Sequence, residues 1–317
     1  MESICGTYMS SKGMQSITSS GISSMDHILG GGFAINSITL IEEDNLCQFT
    51  PLFAKCFVSQ SIECKHKTII CSQTISSIRS RFLRELPVRS TQQSKQIDDN
   101  CDDLKIAWRY RGQTSGANRT DGKDFDFNSH ISEETLTSAD IVFCTHNMCL
   151  EVIRALNQND NKTVVRVLID GLGSALSPIS VDSLPKYVYE LKSLIRKVPN
   201  IVCLATFSPQ LVLLSKYSYA RSRVHNVVDC VIQLIGFDEW TQTPYTEYNG
   251  LFNVLKLPKL NSFNYYNTPE TLDLGFQLKN HNRFLVVDKL SLPPDLSETV
   301  SRTTGCSTAH NNNQLDF

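Results

Sequence analysis

The residues most able to do chemistry follow the first strongly apolar stretch, Ser37 to Ile41. They form the turn Glu42-Glu43-Asp44-Asn45-Leu46-Cys47-Gln48-Phe49-Thr50. In an open α/β sheet ligands sit past the C-terminal ends of the strands, and the first strand-to-helix turn is the natural seat for a phosphate. Such a loop needs glycines, so that successive N–H groups can face the anion, and a lysine to offset its charge. This turn has neither, and it carries the carboxylates of Glu42, Glu43 and Asp44. It reads as a degenerate phosphate-loop position, with Thr50 where a metal-binding hydroxyl would stand. Phosphate would meet like charge here, and the positive end of the following helix is expected to be satisfied internally by these acids.

Asp170 follows the β-branched run Thr163 to Ile169. A phosphoryl-transfer enzyme holds magnesium with an acid at such a Walker-B-like position. The pair Asp170-Gly171 is also a common turn, and without a phosphate loop the turn reading is preferred. Cys144 and Cys149 flank His146. No second cluster of metal-binding spacing accompanies them, so they read as structural cysteines over zinc ligands. Basic residues cluster at Arg79, Arg81 and Arg84 and at Lys192, Arg196 and Lys197. A third group, Lys105, Arg109 and Arg111, flanks Trp108 and Tyr110. The last mixture of cations and aromatics suits stacking on RNA, making Lys105, Trp108, Arg109 and Arg111 candidate RNA contacts. Arg221, Arg223, Lys279 and Arg283 are candidates for reaching a neighbour's nucleotide in a ring.

These residues need elements to position them. Ser23 and Asp26 have capping-box spacing for a short helix, ended by Gly30-Gly31-Gly32 in a hinge or packing turn. Thr50 as cap and Pro51 as first residue open a helix running to about Ser61. Strands are expected at 37–41, 68–72, 141–145, 163–169 and 201–205, with helices from Thr74, at 148–156, at 184–198 and from Ser208. From Val227 the pattern is strands only. Fully apolar short strands alternating with helices predict an α/β fold: a mostly parallel sheet flanked by helices, with late antiparallel strands. Residues 1–20 and 295–317 read as flexible ends of a single domain over 21–294, and the polar stretch 88–138 reads as an insertion.

The chain has 317 residues, with 30 Lys plus Arg against 32 Asp plus Glu, a net charge of -2. That balance gives no global attraction to nucleic acid, so any such contact must be local or shared with a partner. The longest apolar run is five residues, Ile201 to Ala205, against about 20 for a membrane span. The N-terminus lacks the basic and apolar segments of a secretory signal. The 11 cysteines lack framework spacing and suit a reducing compartment.

Gly21 to Gly32 followed by Asn36 to Asp44 resembles the start of a RecA/KaiC-type domain whose phosphate loop has been replaced by acids. More specifically, the chain resembles the Elongator subunit 4 family. The resemblance rests on the triple glycine with Ile41-Glu42-Glu43-Asp44, on Lys105-Ile106-Ala107-Trp108-Arg109-Tyr110, and on Tyr248-Asn249-Gly250-Leu251 with Leu257-Pro258-Lys259-Leu260-Asn261. It extends through Leu290 to Arg302 and the closing Leu315-Asp316-Phe317. It implies a non-catalytic RecA-like subunit of a hetero-hexameric ring with Elongator subunits 5 and 6, docked on subunits 1 to 3. The ring would bind tRNA and support carbon-5 modification of the wobble uridine. The implied setting is cytoplasmic and nuclear, with no cofactor held by this chain alone and ATP only at ring interfaces. The alternative is an active RecA/KaiC-type ATPase using Asp170.

Overall fold

The computed structural model describes residues 4–10, 15–44, 46–90, 124–156, 163–208, 218–237, 247–259, 269 and 271–291. In chain order the elements begin with β1 (Thr7–Met9), β2 (Ser16–Thr18), α1 (Ser23–Ile28), β3 (Phe33–Ala34), β4 (Ser37–Glu42), α2 (Thr50–Glu63) and β5 (Lys67–Cys71). There follow α3 (Ile75–Ser77), which runs into a π-helical turn at Ile78–Phe82, then β6 (Pro87–Arg89), β7 (Phe125–His130), α4 (Glu133–Ser138), β8 (Ile141–Cys144) and α5 (His146–Arg154). The remainder is β9 (Val165–Leu172), α6 (Leu184–Ile195), β10 (Ile201–Phe207), α7 (Ser218–Val227), β11 (Cys230–Gly236), β12 (Gly250–Lys256), β13 (Leu274–Leu278), α8 (Lys279–Asn282) and β14 (Phe284–Lys289).

A nine-stranded sheet runs in the order β14-β13-β12-β11-β4-β10-β9-β5-β8. From β8 to β11 all neighbours are parallel, and from β11 to β14 all are antiparallel. The strand alternation feeds two cores. On one face Ile41, Ile70, Leu168 and Leu204 pack against Met25 of α1 and Phe53 and Phe57 of α2. On the other, Ile38, Leu40, Ile69 and Val167 meet Val188, Leu191 and Ile195 of α6 and Val224 of α7. The apolar stripe of α6 thus does what its helical period implies. Among the described residues no helix is long and apolar enough to cross a membrane.

Several local expectations are corrected. Residues 1–20, read as loose, contribute β1 and β2, which join β3 in a three-stranded antiparallel sheet. The triple glycine makes this possible: Gly32 has φ 126°, and a Cβ there would stand 2.4 Å from the Thr18 carbonyl oxygen. Asp26 does not complete a capping box with Ser23. Its carboxylate accepts hydrogen bonds from the Ser20 amide and from the hydroxyls of Ser19 and Ser20. Thr50 is not a cap either: Phe49 precedes α2, and the buried Thr50 hydroxyl has no hydrogen-bond partner. The end of the polar stretch 88–138 forms β7 and α4, with Phe125 buried and β7 paired to β6. The expected caps at Thr74 and Ser208 differ in outcome: Thr74 makes no side-chain cap bond, and the helix start at Pro209 lies outside the described residues.

Arg166, fully buried on β9, fastens the N-terminal sheet to the core. Its guanidinium donates to the Thr18 hydroxyl at 2.9 Å, the Ser19 carbonyl at 2.8 Å, the Phe57 carbonyl at 3.4 Å and His66 Nδ1 at 3.1 Å. A buried cation whose acceptors are then left unpaired is costly to remove, by about 3 kcal/mol or more. Arg166→Met is expected to lower unfolding free energy by about that amount, read as a fall in the urea midpoint; an unchanged midpoint would show that the cluster contributes little.

Candidate functional site

The degenerate phosphate-loop position lies at the C-terminal end of β4, in the middle of the parallel sheet, flanked by β10 and β11. Glu42 is 0% exposed. Arg221 of α7 grips it bidentately, Nε to Oε1 and Nη2 to Oε2, both at 2.7 Å. His225, one turn further along α7, donates from Nε2 to Oε1 at 2.7 Å, and Gln233 of β11 donates from Nε2 to Oε2 at 3.3 Å. Burial alone would raise the Glu42 pKa; the hydrogen bonds from Arg221 and His225 outweigh it and hold the carboxyl at about 2. The same pairing raises Arg221.

Asp44 completes the closure. It is 4% exposed. Its Oδ2 accepts from the amides of Leu46 and Gln48, both at 3.3 Å, and its Oδ1 from the Phe49 amide at 3.4 Å. These are N–H groups leading into the N-terminus of α2, the donors that a bound phosphate would use. A carboxylate of the chain therefore takes the loop amides just ahead of α2. Gly236 at the end of β11 lies against the loop, and a Cβ there would crowd the Phe49 ring at 3.2 Å. Cys47 turns the loop with φ 52°, the left-handed region that a glycine would enter freely. Its thiol donates to Glu43 Oε2 at 3.3 Å, and the Glu43 amide bonds to the Phe207 carbonyl at 2.9 Å.

Asp170 is not a turn residue: it lies inside β9, one strand beyond β10, because β9 continues to Leu172. Its carboxylate accepts from the Ser72 hydroxyl at 3.1 Å and the Thr206 hydroxyl at 3.4 Å, and its carbonyl receives His146 Nε2 at 2.8 Å. Thr50, with its unpartnered buried hydroxyl, is the other member of the loop with metal-binding chemistry, but no acid contacts it among the hydrogen bonds described.

The candidates for a neighbour's nucleotide are mostly engaged at home. Arg221 is tied to Glu42, and Arg283 to Asp126 with Nε at 2.7 Å. Lys279 pairs with Asp288 at 2.6 Å, while Arg223 is exposed. Of the other basic groups, Lys192 and Arg196 pair with the buried Asp229, Arg81 pairs with Glu85, and Arg79 lies over the Phe143 ring. Lys105, Trp108, Arg109 and Arg111 lie outside the described residues. Cys71, Cys144, Cys149, Cys203 and Cys230 are all buried and free, and burial pushes the Cys203 and Cys230 thiols up. His225 and Gln233 were missed. The signal available for His225 was its i, i+4 spacing from Arg221, which puts both on one helix face.

Because Glu42 titrates lower folded than unfolded, its pairing stabilises fully above about pH 4.5 and is lost as pH falls from there toward 2. Glu42→Gln is expected to lower stability at pH 7 by about 3 kcal/mol and to flatten the fall between those limits, read by urea unfolding across pH. An unchanged acid limb would show that the pair is not ionic.

A family model described as PAXNEB protein matches residues 1–317, the whole chain. Among curated relatives, Elongator complex protein 4 of Xenopus laevis is 29% identical, covering 94% of this chain and 85% of the relative. That of Danio rerio is also 29% identical, covering 99% and 92%, and that of Homo sapiens is 26% identical, covering 99% and 85%. Among solved structures, the crystal structure of a KaiC-like protein from Pyrococcus horikoshii OT3 aligns with a TM-score of 0.51 at 16% identity. The alignment covers 86% of this chain and 98% of that one, a likeness of fold. With this RecA-like, KaiC-type sheet and a match over its full length, the chain belongs to the PAXNEB protein family, as its resemblance to Elongator subunit 4 implied.

Proposed function

We propose that this chain is a non-catalytic subunit of the Elongator complex, acting as a building block rather than a motor. The observation that carries the reading is the filling of the nucleotide position by the chain's own groups: Asp44 takes the amides at the start of α2, and Glu42 binds Arg221. In this reading the RecA-like body supplies the two unlike surfaces of a head-to-tail hetero-hexameric ring with subunits 5 and 6. The ring docks on subunits 1 to 3, binds tRNA and supports carbon-5 modification of the wobble uridine. The chain alone holds no cofactor, ATP belongs to ring interfaces, and the setting is cytoplasm and nucleus. Membership rests on the Elongator complex protein 4 relatives, and the accessory role on the occupied site.

Calorimetric titration of the purified full chain with ATP and magnesium is expected to give no binding. Low-micromolar affinity would overturn the reading and favour an ATPase using Asp170, which Asp170→Ala would then silence. For the tRNA role, Trp108→Ala in the reconstituted ring is expected to weaken tRNA crosslinking by about threefold or more while leaving the ring's mass unchanged. Undiminished crosslinking removes Trp108 from the contact.

A further inference from the structure

Three thiols converge at the far edge of the sheet. Cys71 closes β5 and Cys144 closes β8; the two strands are parallel neighbours, and these residues stand directly opposite each other. Their Sγ atoms are 3.0 Å apart. Cys149, in the second turn of α5, brings a third sulfur, and all three Sγ atoms lie within 4.8 Å of one another. Cys71 and Cys149 are 0% exposed and Cys144 is 3% exposed. Among the described residues this is the one group of three side chains of metal-ligating type placed so closely. Cys56, Cys203 and Cys230 are buried too, but they belong to no such group.

The surroundings restrict what these sulfurs could hold. The thiols belong to an apolar core that also holds Ile69, Ile169, Leu184 and Val188, and the Tyr187 hydroxyl, which donates to the His146 carbonyl at 3.0 Å, is the polar group beside Cys149. His146, the residue that sequence spacing offered as an extra ligand, is turned away: its Nε2 meets the Asp170 carbonyl at 2.8 Å and its Nδ1 the Ser177 hydroxyl at 3.3 Å. The donors are therefore sulfur alone, and thiolate sulfur selects soft ions. Zinc takes four ligands almost without exception in structural sites, whereas the group supplies three protein sulfurs, the number that a soft ion of lower coordination needs. Sulfurs at about 2.3 Å around a planar three-coordinate ion stand about 4 Å apart. The Cys71 and Cys144 sulfurs are 3.0 Å apart and no pair of the three exceeds 4.8 Å, so binding would need the first pair to open by about 1 Å. Cys144 lies just ahead of α5 and Cys149 near its start, so the positive end of this nine-residue helix offsets thiolate charge.

We propose that Cys71, Cys144 and Cys149 form a binding site for one Cu(I) ion. On binding, thiol protons leave to solvent and Cu–S bonds replace the S–H···S contact between Cys71 and Cys144. The ion joins the edge strand β8 and helix α5 to β5. The site is independent of the nucleotide position and of the reading as an Elongator subunit.

The test uses the reduced full chain under anaerobic conditions, with Cu(I) supplied as its bicinchoninate complex. About one Cu(I) per chain is expected to be withheld from excess chelator. X-ray absorption at the copper edge of the loaded, unaltered chain should show three sulfur ligands at about 2.3 Å. Cys71→Ala and Cys149→Ala should each cut retained copper by about tenfold. The absorption spectrum of the unaltered chain decides the matter if either variant fails to fold. Copper wholly removed by the chelator, a copper environment without three sulfurs, retention unchanged in both variants, or Zn(II) held in preference to Cu(I) would each overturn the proposal. So would isolation of the chain with Cys71 and Cys144 already joined as a disulfide.

Discussion

The buried carboxylate of Glu42 governs the centre of this molecule. An ion removed from water loses several kcal/mol of hydration, and only well-aligned donors restore it. Arg221, His225 and Gln233 supply those donors from α7 and β11, which lie far along the chain from β4. The bidentate geometry matches the planar guanidinium to the planar carboxylate, an arrangement that lysine could not reproduce. The pair thus fixes the end of the central strand, the inner face of α7 and the start of the antiparallel half of the sheet in one place. The crevice that a parallel sheet opens past its strand ends is closed at this point by the protein's own charges.

Asp44 extends the same logic to the loop. The amides that lead into a helix are a standing demand for negative charge. In a nucleotide-binding loop the demand is met by a ligand and the loop depends on that ligand for its order. Here Leu46, Gln48 and Phe49 donate to an aspartate one turn away in the same loop, so the local fold is complete without one. A RecA-like body of this kind keeps its shape and its faces with the loop closed on itself, since fold and chemistry are separable. Asp170 keeps its place one strand over, where its carboxylate accepts from the hydroxyls of Ser72 and Thr206.

A second buried charge, Arg166, does for the opposite face what Arg221 does for the strand ends. It reaches Thr18 and Ser19 from β9 and so makes the N-terminal sheet part of the domain. Asp26 beside it is pushed up to about 6 by burial, against the pull of the hydrogen bonds from Ser19 and Ser20 and of the Arg166 charge. His66 is pushed down to about 4 by burial and by the Arg166 charge. Arg166 is thus held by neutral acceptors, the Thr18 hydroxyl, two backbone carbonyls and the His66 ring, with the Asp26 carboxyl close by.

The alternation of apolar strands with capped helices, the switch to strands alone after residue 227 and the acidity of the turn at 42–50 were all legible in the amino-acid order. Each is a local property: periodicity reports which face is buried, and the absence of glycine and lysine reports what a loop cannot bind. Residues 4–10 and 15–20 were illegible because their polarity hides pairing with β3, which exists only where Gly32 lets backbone approach backbone. Residues 124–138 were misread for the same reason: Phe125 and Asp126 acquire their burial from β6 and from Arg283. Ser23 and Thr50, named as caps from spacing, do not cap: Ile22 and Phe49 precede the two helices and neither makes a side-chain cap bond. The union of Glu42 with Arg221 and that of Cys71 with Cys144 join residues remote in the chain. No pattern of neighbours encodes them; parallel strand register and helix packing alone bring such side chains within a hydrogen bond of each other.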